Sequence, residues 1–226
     1  MWNDFFDLVF PNLCISCDQA LLKGEKHLCV FCMSKLPKTN FHLEEDNDLS
    51  RKLWGRVPLR YGLAYLKFSK GSYVQNILHH IKYKEAKEAA VMLGQWYGED
   101  LYKSGYSEKF DLIVPVPLHK KKLRKRGYNQ STCFAEGLAE GLTIEYSENI
   151  LERVKEQSSQ TNKGRLDRWT NVHEIYKIKE DTSIKNKKIL LADDIATTGA
   201  TIEVCAHELL RGGAAEVSVA VIAIAL

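Results

Sequence analysis

The second half of the chain alternates between two hydrophobic periodicities, and each change of period marks a new element. Apolar runs within Asp111–Val116, Ile189–Ala192 and Glu216–Ile224 are typical of buried strands. Apolar residues three and four positions apart predict helices over Asn129–Leu142 and Ala200–Arg211, the second ended by two glycines. The alternation predicts an α/β fold with a parallel sheet, in which ligands bind at the carboxyl ends of the strands.

The first half of the chain has a different organisation. It is predicted to hold a strand and two helices, over Leu59–Phe68, Gly71–Tyr83 and Ala86–Lys103. Residues 41–56 are polar and acidic without a clean period, so we predict a linker there. The linker would join a small module, residues 1–40 with a short helix and four cysteines, to a main domain at residues 57–226.

Composition agrees with a folded, soluble protein. The 226 residues are 45% apolar and 27% charged, with a net charge of +3. The longest apolar run, Val217–Leu226, is too short to span a bilayer, and we interpret it as a buried strand. Residues 1–13 lack a basic region and contain Asp4 and Asp7, so we expect no secretory signal, no membrane insertion and a cytoplasmic location. The oligomeric state does not follow from the sequence.

Four of the six cysteines form the pattern C-x₂-C-x₁₁-C-x₂-C, with Cys14, Cys17, Cys29 and Cys32. Four thiolates at this spacing are typical of a closed, tetrahedral and therefore structural zinc site. Free or redox-active cysteines are the alternative, and we expect zinc. Docking to a partner or to DNA would be a use for such a module.

The segment Ile189–Thr201 combines features that suit a sugar phosphate. The apolar run delivers the carboxylates of Asp193 and Asp194 to the end of a strand, where they can accept hydrogen bonds from ribose hydroxyls. Gly199 permits close backbone approach, and the following helix offers free N–H groups to a phosphate. Hydroxyl groups are supplied by Thr197, Thr198 and Thr201. Either half alone would be an ordinary turn or helix cap, but the combination favours a ribose 5-phosphate site.

This segment resembles the thirteen-residue signature of type I phosphoribosyltransferases, which bind phosphoribosyl pyrophosphate. Together with the cysteine module, Val114–His119 and Arg126–Gln130, it makes the chain similar to the ComF family, which is linked to competence and DNA uptake. The resemblance implies a type I phosphoribosyltransferase-like sheet flanked by helices, and a ligand that carries Mg²⁺ on its pyrophosphate.

The resemblance also assigns roles to residues. Asp193 and Asp194 would hold the ribose and stabilise the reacting centre. The 5-phosphate would bind to Ala196, Thr197, Thr198, Gly199, Ala200 and Thr201. The pyrophosphate would bind to the loop with Pro117 and Leu118 and to the motif residues Arg126, Gly127 and Tyr128. The segment Glu152–Asn171 is similar to the family's mobile flap, although the residues alone slightly favour a merely solvated loop.

Two other features leave alternatives open. Lys120–Tyr128 is predicted to be a loop, and most of its cations would neutralise a pyrophosphate or equally well face solvent or nucleic-acid phosphates. The run Ile81-Lys82-Tyr83, beside His79 and His80, is also similar to the family. An approach of Lys82 to the site is one interpretation, but we expect a surface lysine.

Two functions therefore stand after sequence analysis. The first is a phosphoribosyltransferase, in which a nucleophile displaces pyrophosphate from C1 through an oxocarbenium-like transition state. The second is a sensor of the phosphoribosyl ligand without turnover, which would engage single-stranded DNA or a DNA-uptake helicase. The signature identifies the ligand better than it identifies a reaction, so binding is favoured over catalysis.

Overall fold

The computed structural model describes residues 11–84, 86–154, 175–179 and 183–226. Six strands are found in them: β1 (Gly62–Phe68), β2 (Leu112–Pro115), β3 (Leu151–Arg153), β4 (Tyr176–Ile178), β5 (Lys188–Ala196) and β6 (Glu216–Ala225). The helices are α1 (Val30–Ser34), α2 (Asp48–Leu53), α3 (Tyr73–Tyr83), α4 (Lys87–Lys103), α5 (Lys120–Arg126), α6 (Gln130–Leu142) and α7 (Ala200–Arg211). None of these helices is both long and apolar enough to cross a membrane.

The main sheet has four parallel strands in the order β1-β6-β5-β2. Its central strand β6 is buried on both faces from Val217 to Ile224, which explains the continuous apolar run. Strands β3 and β4 form a separate antiparallel ribbon. The α/β fold and the parallel sheet predicted from periodicity are confirmed.

Helices cover both faces of this sheet. One face packs against α3, α4 and α6 and is continuous with the cysteine module, because Cys14, Leu28 and Cys32 belong to the same buried cluster. The other face packs against α2 and α7, together with the β3–β4 ribbon. The cysteine module therefore shares its core with the larger part of the protein.

Helices α4 and α6 lie unusually close together because glycines line their contact. Gly94 and Gly98 of α4 face Gly137 and Gly141 of α6. A Cβ atom on Gly98 would lie 2.8 Å from the carbonyl oxygen of Leu138, closer than real Cβ atoms approach. Any larger residue would push the two backbones apart, so the position of α6 is fixed by this contact.

Residues 41–56, predicted to be a linker, carry ordered structure. Phe41–Leu43 form a 3₁₀ turn, and α2 follows after Asn47, whose side chain accepts hydrogen bonds from two N–H groups at the start of α2. Leu49 and Leu53 are buried, which explains why no period was visible: a helix of six residues has room for only two inward positions. The division into domains at these boundaries stays a prediction.

The basic segment Lys120–Tyr128, predicted to be a loop, is mostly the helix α5. His119 accepts a hydrogen bond from the N–H of Lys121 at its start, and Gly127 ends it with φ of 77°. Lysine and arginine have good helix propensity, and the caps at both ends outweigh the repulsion among like charges. The prediction of a loop was wrong for this reason.

Candidate phosphoribosyl site

The signature segment forms the end of β5, a tight loop and the start of α7. Asp193 and Asp194 lie within β5, which ends at Ala196, four residues beyond the predicted end at Ala192, and α7 begins at Ala200 as predicted. Gly199 has φ of 76°, and a Cβ there would lie 2.7 Å from Leu53 Cδ2. Thr197 and Thr198 are exposed, so their hydroxyls are open to a ligand.

Two cations from the segment predicted as a linker donate hydrogen bonds to backbone carbonyl oxygens of this loop. Lys52 Nζ donates to the carbonyl oxygen of Thr197 at 2.9 Å, and Arg56 Nη1 donates to that of Thr198 at 2.6 Å. Arg56 also pairs with Glu203 of α7, with 3.0 Å between Nε and Oε2. These residues fix the conformation of the loop before any ligand arrives. These contacts were not predicted, because nothing in the local pattern around Lys52 and Arg56 indicates a hydrogen bond to a residue about 145 positions away in sequence.

Asp193 is buried, and one of its carboxyl oxygens accepts two hydrogen bonds. Its Oδ1 accepts a hydrogen bond from Ser131 Oγ at 2.9 Å and another from the N–H of Asp194 at 2.9 Å. Burial and the neighbouring charge of Asp194 raise the pKa of Asp193 to about 7, against the lowering effect of these hydrogen bonds. Ser131 lies in the first turn of α6, so the glycine-lined helix contact places the donor for this carboxyl group.

Asp194 points to the other side and meets a cation. Lys82 Nζ, on the last turn of α3, lies 2.9 Å from Asp194 Oδ2, and both side chains are mostly buried. The expectation that Lys82 is a surface lysine is wrong. The reason is that α3 runs to the carboxyl end of the sheet, where its last turn comes next to the end of β5.

The predicted pyrophosphate loop follows β2, directly beside the carboxylates. The N–H of Val116 donates to the carbonyl oxygen of Ala192 on β5 at 2.8 Å, and Asn129 Nδ2 donates to the carbonyl oxygen of Val116 at 3.0 Å. Pro117 and Leu118 continue from this point and line a cavity of about 440 Å³. The structure thus brings this loop and the two aspartates to the same edge of the sheet.

The residues of the Arg-Gly-Tyr motif have distinct environments. Arg126 donates to Gln130 Oε1 at 2.7 Å, and its guanidinium lies 5.4 Å from the centre of the Tyr83 ring. Tyr128 is buried, and its hydroxyl donates to the carbonyl oxygen of Ile81 on α3. Tyr128 therefore links the motif to α3, and its ligand contact stays a prediction, as does that of Arg126 and Gly127.

The four predicted zinc ligands come together in space. The sulfur atoms of Cys14, Cys17, Cys29 and Cys32 all lie within 4.8 Å of one another. The N–H groups of Cys29 and Cys32 donate to the sulfurs of Cys14 and Cys29, at 3.4 Å each. Four converging sulfurs that also accept backbone hydrogen bonds fit tetrahedral zinc. Cys133 and Cys205 are buried elsewhere in the core.

Of the predicted flap, Glu152–Asn171, the structure describes Glu152, Arg153 and Val154. The first two belong to β3, whose partner β4 returns at Tyr176. The rest of the prediction lies outside the described residues.

The buried Asp193 generates a prediction about stability and pH. An unfolded aspartate ionises near its ordinary pKa of 3.8, whereas the folded one holds its proton up to about 7, so unfolding becomes easier as pH rises between these values. We expect Asp193→Asn to raise the free energy of unfolding at pH 8 by on the order of 2 kcal/mol relative to the native residue. Urea unfolding at pH 5 and pH 8 would measure this. A gain that is as large at pH 5 as at pH 8 would contradict it.

Comparison with known proteins agrees with this geometry. The phosphoribosyl transferase domain model matches residues 129–225, from the start of α6 to the end of β6. Competence protein ComFC of Bacillus subtilis is 28% identical over 244 residues, which cover 96% of this chain and 97% of that protein. DNA utilization protein YhgH of Escherichia coli K12 is 26% identical, over 94% of this chain and 96% of its own. Competence protein F of Haemophilus influenzae is 30% identical over 110 residues, or 48% of each chain.

The first two of these relatives match nearly the whole chain, and the domain model covers the strand, loop and helix that form the candidate site. The parallel sheet flanked by helices and the converging cysteines agree with both. The findings therefore support the ComF family for this chain, since the relatives named above are competence and DNA utilization proteins, and the chain carries a domain of the phosphoribosyltransferase type.

Proposed function

We propose that this protein binds phosphoribosyl pyrophosphate, with Mg²⁺, at the carboxyl end of β5. The observation that carries the proposal is the arrangement of Asp193 and Asp194 directly before a loop whose backbone is held from behind by Lys52 and Arg56. The carboxylates accept hydrogen bonds from the ribose hydroxyls. The N–H groups of the loop and of the start of α7 donate hydrogen bonds to the 5-phosphate.

The pyrophosphate would bind at the same edge of the sheet. The loop with Pro117 and Leu118 supports this, because it follows β2 beside β5 and lines a cavity. Mg²⁺ would arrive bound to the pyrophosphate and neutralise part of its charge. Sites with carboxylate oxygens commonly bind Mg²⁺ together with substrate phosphates. Binding is supported better than turnover, since none of the described residues identifies the acceptor whose nucleophile would attack C1.

Isothermal titration with phosphoribosyl pyrophosphate and Mg²⁺ tests this proposal. Asp194→Asn should weaken binding at least about tenfold, because an amide is a poorer acceptor for two ribose hydroxyls. Asp18→Asn is the matched control, since Asp18 is exposed and its φ of 56° suits asparagine. Absence of binding to the native protein, or equal affinity in Asp194→Asn, would overturn the site. A pyrophosphate-release assay across bases then separates an enzyme from a sensor.

We also propose that the cysteine module holds one structural Zn²⁺. Asn76 of α3 donates to the carbonyl oxygen of Ser16 within the module at 2.8 Å, so the metal would support the end of the protein that carries α3. The ion would supply the module with a centre that its few apolar residues cannot provide.

Metal analysis checks the zinc proposal. We expect one zinc per chain, and Cys29→Ser should lose it and lower the Tm by about 5 °C or more, because a structural site contributes to folding. Cys133→Ala should keep the metal, since Cys133 lies outside the cluster. Full zinc content in Cys29→Ser would contradict the assignment.

A second candidate function, binding of single-stranded DNA, is favoured by the surface next to the site. Helix α5 contains six cations in seven residues. Tyr83, which is 59% exposed, lies beside α5, because the guanidinium of Arg126 is 5.4 Å from the centre of its ring. On its own helix, the Tyr83 ring centre is 5.1 Å from that of His79. Cations that follow a phosphate backbone and an aromatic ring on which a base can stack are the usual elements of such a surface. A DNA-uptake helicase as partner stays a prediction of the family resemblance.

Salt-dependent affinity measurements with a fluorescent oligonucleotide test the DNA surface. The double variant Lys122→Gln with Lys125→Gln should bind more weakly and reduce the slope of log K against log salt by about 1 to 2, because fewer counterions are released. Lys109→Gln removes an exposed cation that lies before β2, and it should leave both quantities unchanged. An unchanged slope in the double variant would exclude α5 from the interface.

A further inference from the structure

The ion pair between Lys82 and Asp194 has an unusual origin, because its cation comes from an element outside the phosphoribosyl signature. The two charged atoms are 2.9 Å apart, and the side chains are only 21% and 14% exposed. Such a pair is shielded from the solvent that weakens surface ion pairs. The carboxylate that is to accept the ribose hydroxyls therefore has a cation in contact with it before the ligand binds.

Helix α3 presents this ammonium from a fixed position. Ile77 and Ile81 of α3 are fully buried, and the carbonyl oxygen of Ile81, next to Lys82, accepts the hydroxyl of Tyr128. At the other side of the helix, Asn76 bonds to the cysteine module. Tyr128 and the cysteine module thus fix the position of the helix backbone around Lys82.

The chemistry of ribose places a definite group near such a cation. Of the two carbons that bear these hydroxyls, C2 is bonded to C1 and C3 is one bond further away, so a cation in contact with the carboxylate that binds the hydroxyls lies close to the substituent on C1. Asp193 and Asp194 would repel an anionic substituent there. An ammonium has three N–H donors, and it can keep Asp194 as one partner while it donates to a phosphate oxygen with another.

From this geometry we propose that Lys82 is a specificity-determining residue, which selects ligands that carry an anionic group on C1 of the ribose 5-phosphate. The inference rests on the proposed phosphoribosyl site and adds to it a residue from outside the signature. Lys82 offsets the repulsion between the two aspartates and the C1 diphosphate, and it gives no comparable benefit to a ribose 5-phosphate whose C1 carries a neutral hydroxyl.

Two ligands and three variants test the selection. Isothermal titration would compare phosphoribosyl pyrophosphate with ribose 5-phosphate, both with Mg²⁺, on the native protein, Lys82→Met, Lys82→Arg and Lys84→Met. Methionine keeps the length and removes the charge. We expect Lys82→Met to lose at least about tenfold in affinity for phosphoribosyl pyrophosphate and less than about twofold for ribose 5-phosphate. Lys82→Arg should recover part of the loss, and the exposed Lys84→Met should match the native protein.

The outcomes separate the two proposals. Equal losses for both ligands in Lys82→Met, or no loss for either, would overturn the selection while the site itself stands. A native protein that binds neither ligand would overturn the proposed function and the selection with it. Thermal unfolding of each variant shows whether a loss of affinity comes from unfolding, and Lys82→Arg provides the test if Lys82→Met is not folded.

Discussion

Two adjacent carboxylates at the buried end of β5 are the constraint around which this molecule is arranged. A buried anion is costly unless donors or cations meet it, and two neighbouring anions raise that cost. Asp193 obtains a hydroxyl donor from α6, and Asp194 obtains an ammonium from α3. The two helices that supply these groups lie on the same face of the sheet and share one buried cluster. The charges of the candidate site are thus also a reason for the placement of these helices.

The loop that we propose to bind the 5-phosphate depends on a different part of the chain. Its two carbonyl oxygens at Thr197 and Thr198 are satisfied by Lys52 and Arg56, and Arg56 is itself held by Glu203. A loop that binds phosphate through N–H groups gains from having its carbonyl groups engaged elsewhere, because they would otherwise repel the anion. The segment that precedes β1 is therefore part of the site's support, although it lies far from the signature in sequence.

The sequence predicted well those features that depend on local pattern. Strands β2, β5 and β6 and helices α6 and α7 follow from periodicity and from caps, and the cysteine spacing anticipated the converging sulfurs. The sequence predicted a loop in place of helix α5, because a run of like charges is typical of a solvated loop. The helix caps at His119 and Gly127 favour the helix instead. Lys82 was misjudged because contacts between distant segments have no local signal. Of the candidate site, the strand, loop and helix start were predictable, whereas the cations that surround them were not.

The glycine-lined contact between α4 and α6 has a mechanical consequence. Two helices whose backbones already touch have no free space between them, so α6 cannot slide or tilt toward a ligand without breaking the contact. Ser131 and Asn129, at the start of α6, are then held in fixed positions against Asp193 and the carbonyl oxygen of Val116. Any adjustment to a ligand would therefore come from side chains around the site and not from a movement of this helix.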